Sequence, residues 1–119
     1  MSTFKPFVFA IFFWLTATLP VLAQDPLEVA PDHYKLLFEN DRVRVMQVDM
    51  QPGDTIATHS HPDHVAYLLS GGKFRLTYPD GKTKEIEEET GKTMWINAET
   101  HAAENIGDTE LRILVFELK

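Results

Sequence analysis

The chain has 119 residues, a formal net charge of −7 at pH 7 and no cysteine. Its length suits one domain and is too short for two. An acidic chain without a visible basic patch argues against nucleic acid as a partner, because phosphate binding needs clustered Lys and Arg. Without cysteine there are no disulfides and no thiolate ligands, so any metal ion must be held by His, Asp or Glu.

The first residues predict an export signal. Lys5 supplies a positive charge, an uncharged run extends from Pro6 to Leu22, and Val21-Leu22-Ala23 offers a suitable cleavage site. These features in this order are typical of a secretory signal peptide, so we predict cleavage after Ala23 and a periplasmic or secreted protein. The alternative is an uncleaved membrane anchor, because the apolar run is near the lower limit for spanning a bilayer. Only in that case would the protein contact a membrane.

After the signal peptide (1–23) we predict a leader at 24–32 and a single β-barrel domain at 33–119. From Tyr34 onward the sequence consists of short apolar or alternating runs separated by turns that contain Gly, Pro, Asn and Asp. Runs of this kind at roughly ten-residue spacing predict an all-β sandwich or barrel. The predicted strands are Tyr34–Glu39, Arg42–Met50, Val65–Leu69, Lys73–Tyr78, Thr83–Glu88, Thr93–Ile96 and Leu111–Leu118.

The last predicted strand, Leu111–Leu118, is apolar on both faces except at Arg112 and Glu117. A strand of this composition is buried on both sides. The barrel covers one side, so the other is covered either by a second protomer, giving a homodimer, or by the neighbouring sheet of a sandwich. Arg44, in the second predicted strand, and Arg112 are expected to be surface residues. An inward arginine would instead hold an anionic substrate.

Four of the five histidines are candidate metal ligands. His59, His61 and His64 fall within six residues, and His101 arrives from a later strand. Residues i and i+2 of a strand project from one face, so His59 and His61 point the same way. His64 follows a Pro-Asp bend and can curl back toward them. Clustered imidazoles favour a metal site, whereas the isolated His33 is expected to be a solvated or hydrogen-bonded side chain.

The residues around these histidines resemble the two sequence motifs of the cupin superfamily. The first motif is matched by Gly53, His59-Ser60-His61 and Gly71, and the second by Gly91, Asn97-Ala98-Glu99, His101 and Asn105. The resemblance implies a jelly-roll β-barrel, a metal ion near its centre and frequently a dimer. It supports His59, His61 and His101 as ligands directly. Where cupins usually have a glutamate, this sequence has His64, which is either a fourth ligand or a proton-accepting base beside the ion.

An imidazole in place of the usual carboxylate affects the expected chemistry. Neutral imidazoles leave the charge of a divalent ion uncompensated, so the ion should attract anionic ligands such as carboxylates or enolates. Nitrogen donors suit iron, nickel, copper and zinc rather than magnesium or calcium. Two functions follow. One is a mononuclear metalloenzyme of dioxygenase or isomerase type acting on a small organic molecule, and the other is a non-catalytic module that binds a small ligand or a metal ion.

Overall fold

The computed structural model describes residues 24–119 together with Pro6, so the predicted signal peptide lies outside the described residues except at that one position. Over 24–119 the chain forms one short helix followed by nine strands. No helix in this part is long and apolar enough to cross a membrane. The elements are α1 Pro26–Val29, β1 Tyr34–Glu39, β2 Val43–Met50, β3 Thr55–His61, β4 His64–Ser70, β5 Gly72–Thr77, β6 Thr83–Glu88, β7 Thr93–Ile96, β8 Glu99–Asn105 and β9 Leu111–Leu118.

The strands form two antiparallel sheets. One has five strands in the order β1-β2-β9-β4-β7, and the other has four in the order β3-β8-β5-β6. The predicted all-β jelly-roll barrel is confirmed, and its buried side chains lie between the two sheets. The helix α1 is capped at its N-terminus by Asp25, whose side chain accepts a hydrogen bond from the backbone N–H of Leu27. This helix packs against β3, so part of the predicted leader contacts the barrel.

The seven predicted strands are all present, with bounds that differ by at most one residue at each end. The structure adds two strands that were absent from that set, β3 and β8, and these carry three of the candidate ligands. β3 is rich in Thr and His and β8 in Glu and Ala, so neither shows the apolar run or the clean alternation that marks a half-buried strand.

Two of the motif glycines occupy positions that other residues rarely adopt. Gly53 and Gly91 have positive φ values of 85° and 90°, which glycine adopts without a steric penalty because it lacks Cβ. Gly71 is required for a different reason, since a Cβ there would lie 2.4 Å from the carbonyl oxygen of Glu88. Gly53 lies in the turn before β3, Gly71 between β4 and β5, and Gly91 before β7, so each glycine shapes a connection between strands.

The barrel interior has an apolar end and a histidine end. Along β9 the inward residues Leu111, Ile113 and Val115 are apolar, and the next inward residue is Glu117. β3 shows the same change from Ile56 to His59 and His61, and β4 shows it from Leu68 to His64. We therefore call the region around Met50, Ile56 and Leu111 the apolar end. The opposite region, containing His59, His61, His64, His101 and Glu117, is the histidine end.

The outer face of the five-stranded sheet is also apolar. Strand pairing aligns one residue from each strand in a row across it. Phe38 and Trp95, at the two ends of this row, are 54% and 55% exposed. A monomer thus exposes a contiguous apolar surface of a kind that commonly marks a contact site. The row consists of Phe38, Val45, Phe116, Val65 and Trp95.

Candidate metal centre

A β-bulge in β3 directs two of the histidines inward. The pairing of β3 with β8 shifts register between Ile56 and His59. In a regular strand, residues three apart would face opposite sides, but the extra residue in the bulge turns Ile56 and His59 to the same interior. His61 follows at i+2 and also points inward, as the sequence predicts. Ile56, His59 and His61 are 2%, 0% and 5% exposed.

The other two histidines come from different strands. His101 on β8 is the direct cross-strand partner of His59. His64 is the first residue of β4, where it pairs with Glu117 of β9. The bend before His64 is fixed by Asp63, whose carboxylate accepts a hydrogen bond from the backbone N–H of Ala98 at 2.8 Å. This contact ties the β3–β4 turn to the turn that precedes β8.

Three of the four candidate ligands form a compact group. His59, His61 and His101 each contribute one ring nitrogen, and these three nitrogens lie within 4.8 Å of one another. This spacing is close enough to hold a metal ion. His64 is outside this group of three, but its ring centroid is 4.7 Å from that of His61. His61 is therefore central, with its ring beside the other three. His33 lies elsewhere and donates from Nδ1 to the backbone carbonyl of Asp49.

All four rings have Nδ1 occupied by an oxygen acceptor. His59 Nδ1 donates to the carbonyl of Ala57 at 2.8 Å, and His64 Nδ1 donates to the carbonyl of Pro62 at 2.8 Å. In the other two rings, His61 Nδ1 lies 2.7 Å from the Glu117 carboxylate and His101 Nδ1 lies 3.2 Å from the Glu99 carboxylate. Because Nδ1 must carry the proton in each neutral ring, Nε2 is left with a free lone pair. Such outer hydrogen bonds orient metal-binding histidines.

The histidine end favours the neutral imidazoles that metal binding requires. Burial, together with the neighbouring His61 and His101, lowers the pKa of His59 to about 4. Burial likewise lowers the pKa of His64 and of His101. Protons therefore compete weakly for these nitrogens at neutral pH. The donor set fits a transition metal ion, because several buried, unprotonated imidazole nitrogens face one point.

The expectation that imidazoles leave the charge of a bound ion uncompensated stays a prediction, and the structure adds acidic residues behind the rings. Two carboxylates, Glu117 and Glu99, lie directly behind His61 and His101 and supply negative charge one hydrogen bond away. Burial of Glu117 opposes its ionisation, but hydrogen bonds from His61 and Arg44 outweigh burial and lower its pKa. In the sequence, Glu117 is the only acidic residue on the inner face of β9. The alternation of that strand could therefore have identified it as a buried carboxylate.

The expectation that Arg44 is a surface residue is wrong. Its side chain is 13% exposed and lies between two carboxylates, those of Asp25 and Glu117. Both Nε and Nη2 of Arg44 donate to Glu117, at 2.9 and 2.7 Å. The same strand face carries Met46, Val48 and Met50, so its alternation already grouped Arg44 with the core. Arg112 does form the expected exposed pair, 3.5 Å from Asp49.

Tyr34 is a further member of the site that the sequence analysis did not identify. It is the first residue of β1 and is 7% exposed, with its hydroxyl 3.3 Å from His59 Nε2 and 3.5 Å from His61 Nε2. Burial raises the pKa of Tyr34, and the nearby Glu117 raises it further, so the phenol stays protonated. In the sequence, Tyr34 resembles any aromatic residue of a β-strand core.

A cavity of about 60 Å³ lies between the sheets beside these histidines. His61, His64, His101 and Tyr34 form its polar part, and the remaining wall is apolar. A space of this size holds a few atoms of a ligand or a few water molecules. The apolar lining residues include Val48, Met50, Ile56, Phe74, Leu76 and Leu111.

The family of the chain follows from its sequence as well as from this fold and site. A family model described as the cupin domain matches residues 46–117. That match covers more than half of the chain, and the chain therefore belongs to the cupin family. The comparison with curated proteins gave no match.

Solved structures show the same architecture. A cupin domain protein from Bordetella pertussis is 25% identical, with 72% of this chain and 91% of that chain covered and a TM-score of 0.66. A double-stranded β-helix protein from Klebsiella pneumoniae is 20% identical, with coverages of 71% and 73% and a TM-score of 0.58. The polyketide cyclase RemF from Streptomyces resistomycificus is 25% identical, with coverages of 71% and 63% and a TM-score of 0.54.

Proposed function

We propose that this cupin binds one divalent transition metal ion and acts on a small organic molecule as a mononuclear metalloenzyme of isomerase or dioxygenase type. The observation that carries the proposal is the convergence of buried Nε2 lone pairs whose Nδ1 atoms are all hydrogen-bonded to oxygen. His59, His61 and His101 hold the ion, which supplies Lewis-acid or redox chemistry when bound. Iron, nickel, copper and zinc all suit this donor set.

His64 is proposed as the fourth ligand or as the base. Its ring lies beside His61 but outside the group of three. Its Nε2 is unprotonated because Nδ1 donates to Pro62, so Nε2 can bind the ion or accept a proton from a substrate in the cavity. A neutral imidazole is suited to proton transfer near neutral pH.

The enzyme alternative is favoured over a non-catalytic module by one comparison. One of the similar solved structures, at 25% identity, is a polyketide cyclase, an enzyme that acts on an organic substrate. The non-catalytic alternative is favoured by the small size of the cavity, which leaves little room beside the histidines. The cupin fold accommodates both roles, so a measurement of turnover must separate them.

The first experiment is elemental analysis of protein purified without a metal-binding tag. We expect about one equivalent of iron, nickel, copper or zinc per protomer, which is lost in His59→Ala and His61→Ala. His33→Ala is the matched control because His33 is hydrogen-bonded outside the site, and it should retain the ion. Absence of metal from the wild-type protein, even after reconstitution, would overturn the proposal.

The second experiment tests turnover. The metal-loaded protein is incubated with a panel of enols, phenols and keto acids while oxygen uptake and substrate loss are followed. Turnover that is absent in His61→Ala supports the enzyme. Binding of a panel compound with no turnover supports the non-catalytic module.

We also propose that the protein is exported and functions in the periplasm or outside the cell. The support is the charged start, apolar run and cleavage site of residues 1–23. Mass spectrometry of the protein from its native compartment should find Gln24 at the N-terminus. A mature chain that begins at Met1 or Ser2 would contradict cleavage.

We propose in addition a homodimer formed through the outer face of the five-stranded sheet. Its apolar row spans all five strands, and the exposed Asp49–Arg112 pair on the same face offers both charges to a symmetry-related copy. Light scattering should give twice the monomer mass, and Phe116→Lys should reduce it to the monomer mass. A monomeric wild-type protein would contradict the proposal.

A further inference from the structure

The hydroxyl of Tyr34 has an unusual position in the site. It lies between Nε2 of His59 and Nε2 of His61, at 3.3 and 3.5 Å. Both distances are longer than an ordinary hydroxyl hydrogen bond. Within residues 24–119 the hydroxyl has no other hydrogen-bond partner. Tyr34 also lines the cavity together with His61, His64 and His101, and its hydroxyl lies 3.5 Å from Nε2 of the cavity residue His61.

The hydrogen bonds of the two histidines determine what this hydroxyl can do. His59 and His61 each use Nδ1–H to donate away from the cavity, so each Nε2 has one lone pair. If both lone pairs bind an ion, neither can accept the hydrogen of Tyr34. A buried hydroxyl left without an acceptor costs about 1–3 kcal/mol. The acceptor that remains available is an atom of the ligand that shares the site.

We propose that Tyr34 is a specificity-determining residue whose hydroxyl donates to the oxygen of a small anionic ligand, a carboxylate or an enolate. The inference rests on the proposed metal site. A nitrogen ligand such as imidazole presents no acceptor at its coordinating atom, so it gains nothing from Tyr34. The donor belongs to β1, which precedes the matched cupin domain at 46–117. A residue outside the family match therefore selects the ligand.

The test compares two probes in protein loaded with Co²⁺, whose visible absorption reports changes in its ligands. Acetate and imidazole are titrated into the wild-type protein and into Tyr34→Phe. We expect the Kd for acetate to rise about tenfold or more, as for loss of a hydrogen bond to a charged group. The Kd values for imidazole and for Co²⁺ should stay within about threefold. Tyr67→Phe, on the exposed outer face, is the matched control and should change neither.

Three other results of these titrations would overturn the proposal. Unchanged acetate binding, or equal weakening of acetate and imidazole, overturns the role of Tyr34 while leaving the metal site intact. Loss of Co²⁺ affinity by more than about tenfold would make Tyr34 a ligand of the ion, which also overturns the proposal. Failure of the wild-type protein to bind Co²⁺ overturns the proposed metal site and this inference together.

A second measurement covers the case in which Tyr34→Phe does not fold. The chain has three tyrosines, so 3-fluorotyrosine can be confined to position 34 in a Tyr67→Phe, Tyr78→Phe protein. Fluorination makes the phenol a stronger donor. Acetate should then bind more tightly relative to imidazole than in the same protein with ordinary tyrosine. An unchanged ratio of the two Kd values overturns the proposal.

Discussion

The two ends of the barrel interior are built by the same strands and stabilised by different interactions. At the apolar end, Ile56 and Leu111 are buried without needing partners of specific geometry, and each such side chain contributes about 1.5–3 kcal/mol. At the histidine end, burial of polar groups is unfavourable unless each has a hydrogen bond. Among the described residues no buried side-chain nitrogen or oxygen lacks a partner. The histidine end is therefore satisfied group by group, and removal of one partner affects its neighbours.

The largest expected effect comes from Arg44→Ala. This change leaves the carboxylates of Asp25 and Glu117 side by side without their shared cation, and breaking a buried pair costs about 3–5 kcal/mol. Urea unfolding of the metal-free protein measures the loss. Arg112→Ala is the matched control, because its exposed pair with Asp49 should contribute no more than about 1 kcal/mol. If both variants lost the same free energy of unfolding, the buried Arg44 would contribute no more to stability than the exposed Arg112, which would contradict the prediction.

Acidification should lower the free energy of unfolding through the histidine end rather than through the apolar end. His59 has a pKa of about 4 in the folded protein and 6.5 as its ordinary value. The unfolded chain therefore binds more protons between these values, so this stability is complete above pH 6.5 and is lost as pH falls to 4. The loss is roughly 3 kcal/mol from His59 alone. Unfolding of the metal-free protein at several pH values measures it, and His59→Gln should flatten the curve. Parallel curves for the two proteins would contradict the prediction.

Glu117→Gln should weaken metal binding as well as folding, because Glu117 contacts both His61 and Arg44. The single amide oxygen can accept from His61 Nδ1 or from Arg44 but not from both, and the negative charge behind the imidazole is lost. Loss of such an outer contact typically lowers metal affinity about 10–100-fold. Competition with a chelator measures the affinity, and Glu85→Gln on exposed β6 is the control. Similar affinities in the two variants would show that the carboxylate does not act on the site.

The smallest expected effect is at the apolar end. Ile56→Val removes one methylene from a side chain that is 2% exposed, which costs about 0.5–1.5 kcal/mol. Because Ile56 makes no hydrogen bond to the histidines, metal affinity should not change. Chemical denaturation and chelator competition on the same sample test both statements. A clear fall in metal affinity would show that the two ends are coupled through the bulge in β3.

The difference between the ends also explains what the sequence could predict. Alternation and turn residues predicted the barrel and seven of its strands, because the apolar faces of those strands follow a period of two. The polar composition of β3 and β8 kept both out of the set of apolar runs, although the histidines had indicated a strand at His59 and His61 and a later one at His101. The bulge between Ile56 and His59 was not predictable, because an inserted residue leaves no periodic signal.

The contacts of the site residues were predictable to different degrees. The spacing of His59 and His61 predicted their shared orientation, since strand geometry fixes it. The contacts of Arg44, Glu117 and Tyr34 depend on which face of each strand is inward and on the pairing of distant strands. The alternation of β2 placed Arg44 on the face of Met46 and Met50, but it does not identify Asp25 and Glu117 as the partners of Arg44.

The Nδ1 contacts of the histidines differ in how far apart their partners are along the chain. His59, His64 and His101 each bond to the residue two positions earlier, whereas His61 bonds to Glu117, 56 positions away. Short contacts form early in folding, because closing a long loop has a larger entropic cost. Three rings can therefore adopt their final tautomer while the chain is still assembling, and His61 adopts its own only when β9 joins β2 and β4. The ¹⁵N resonances of His61 would thus report the last step in maturation of the site.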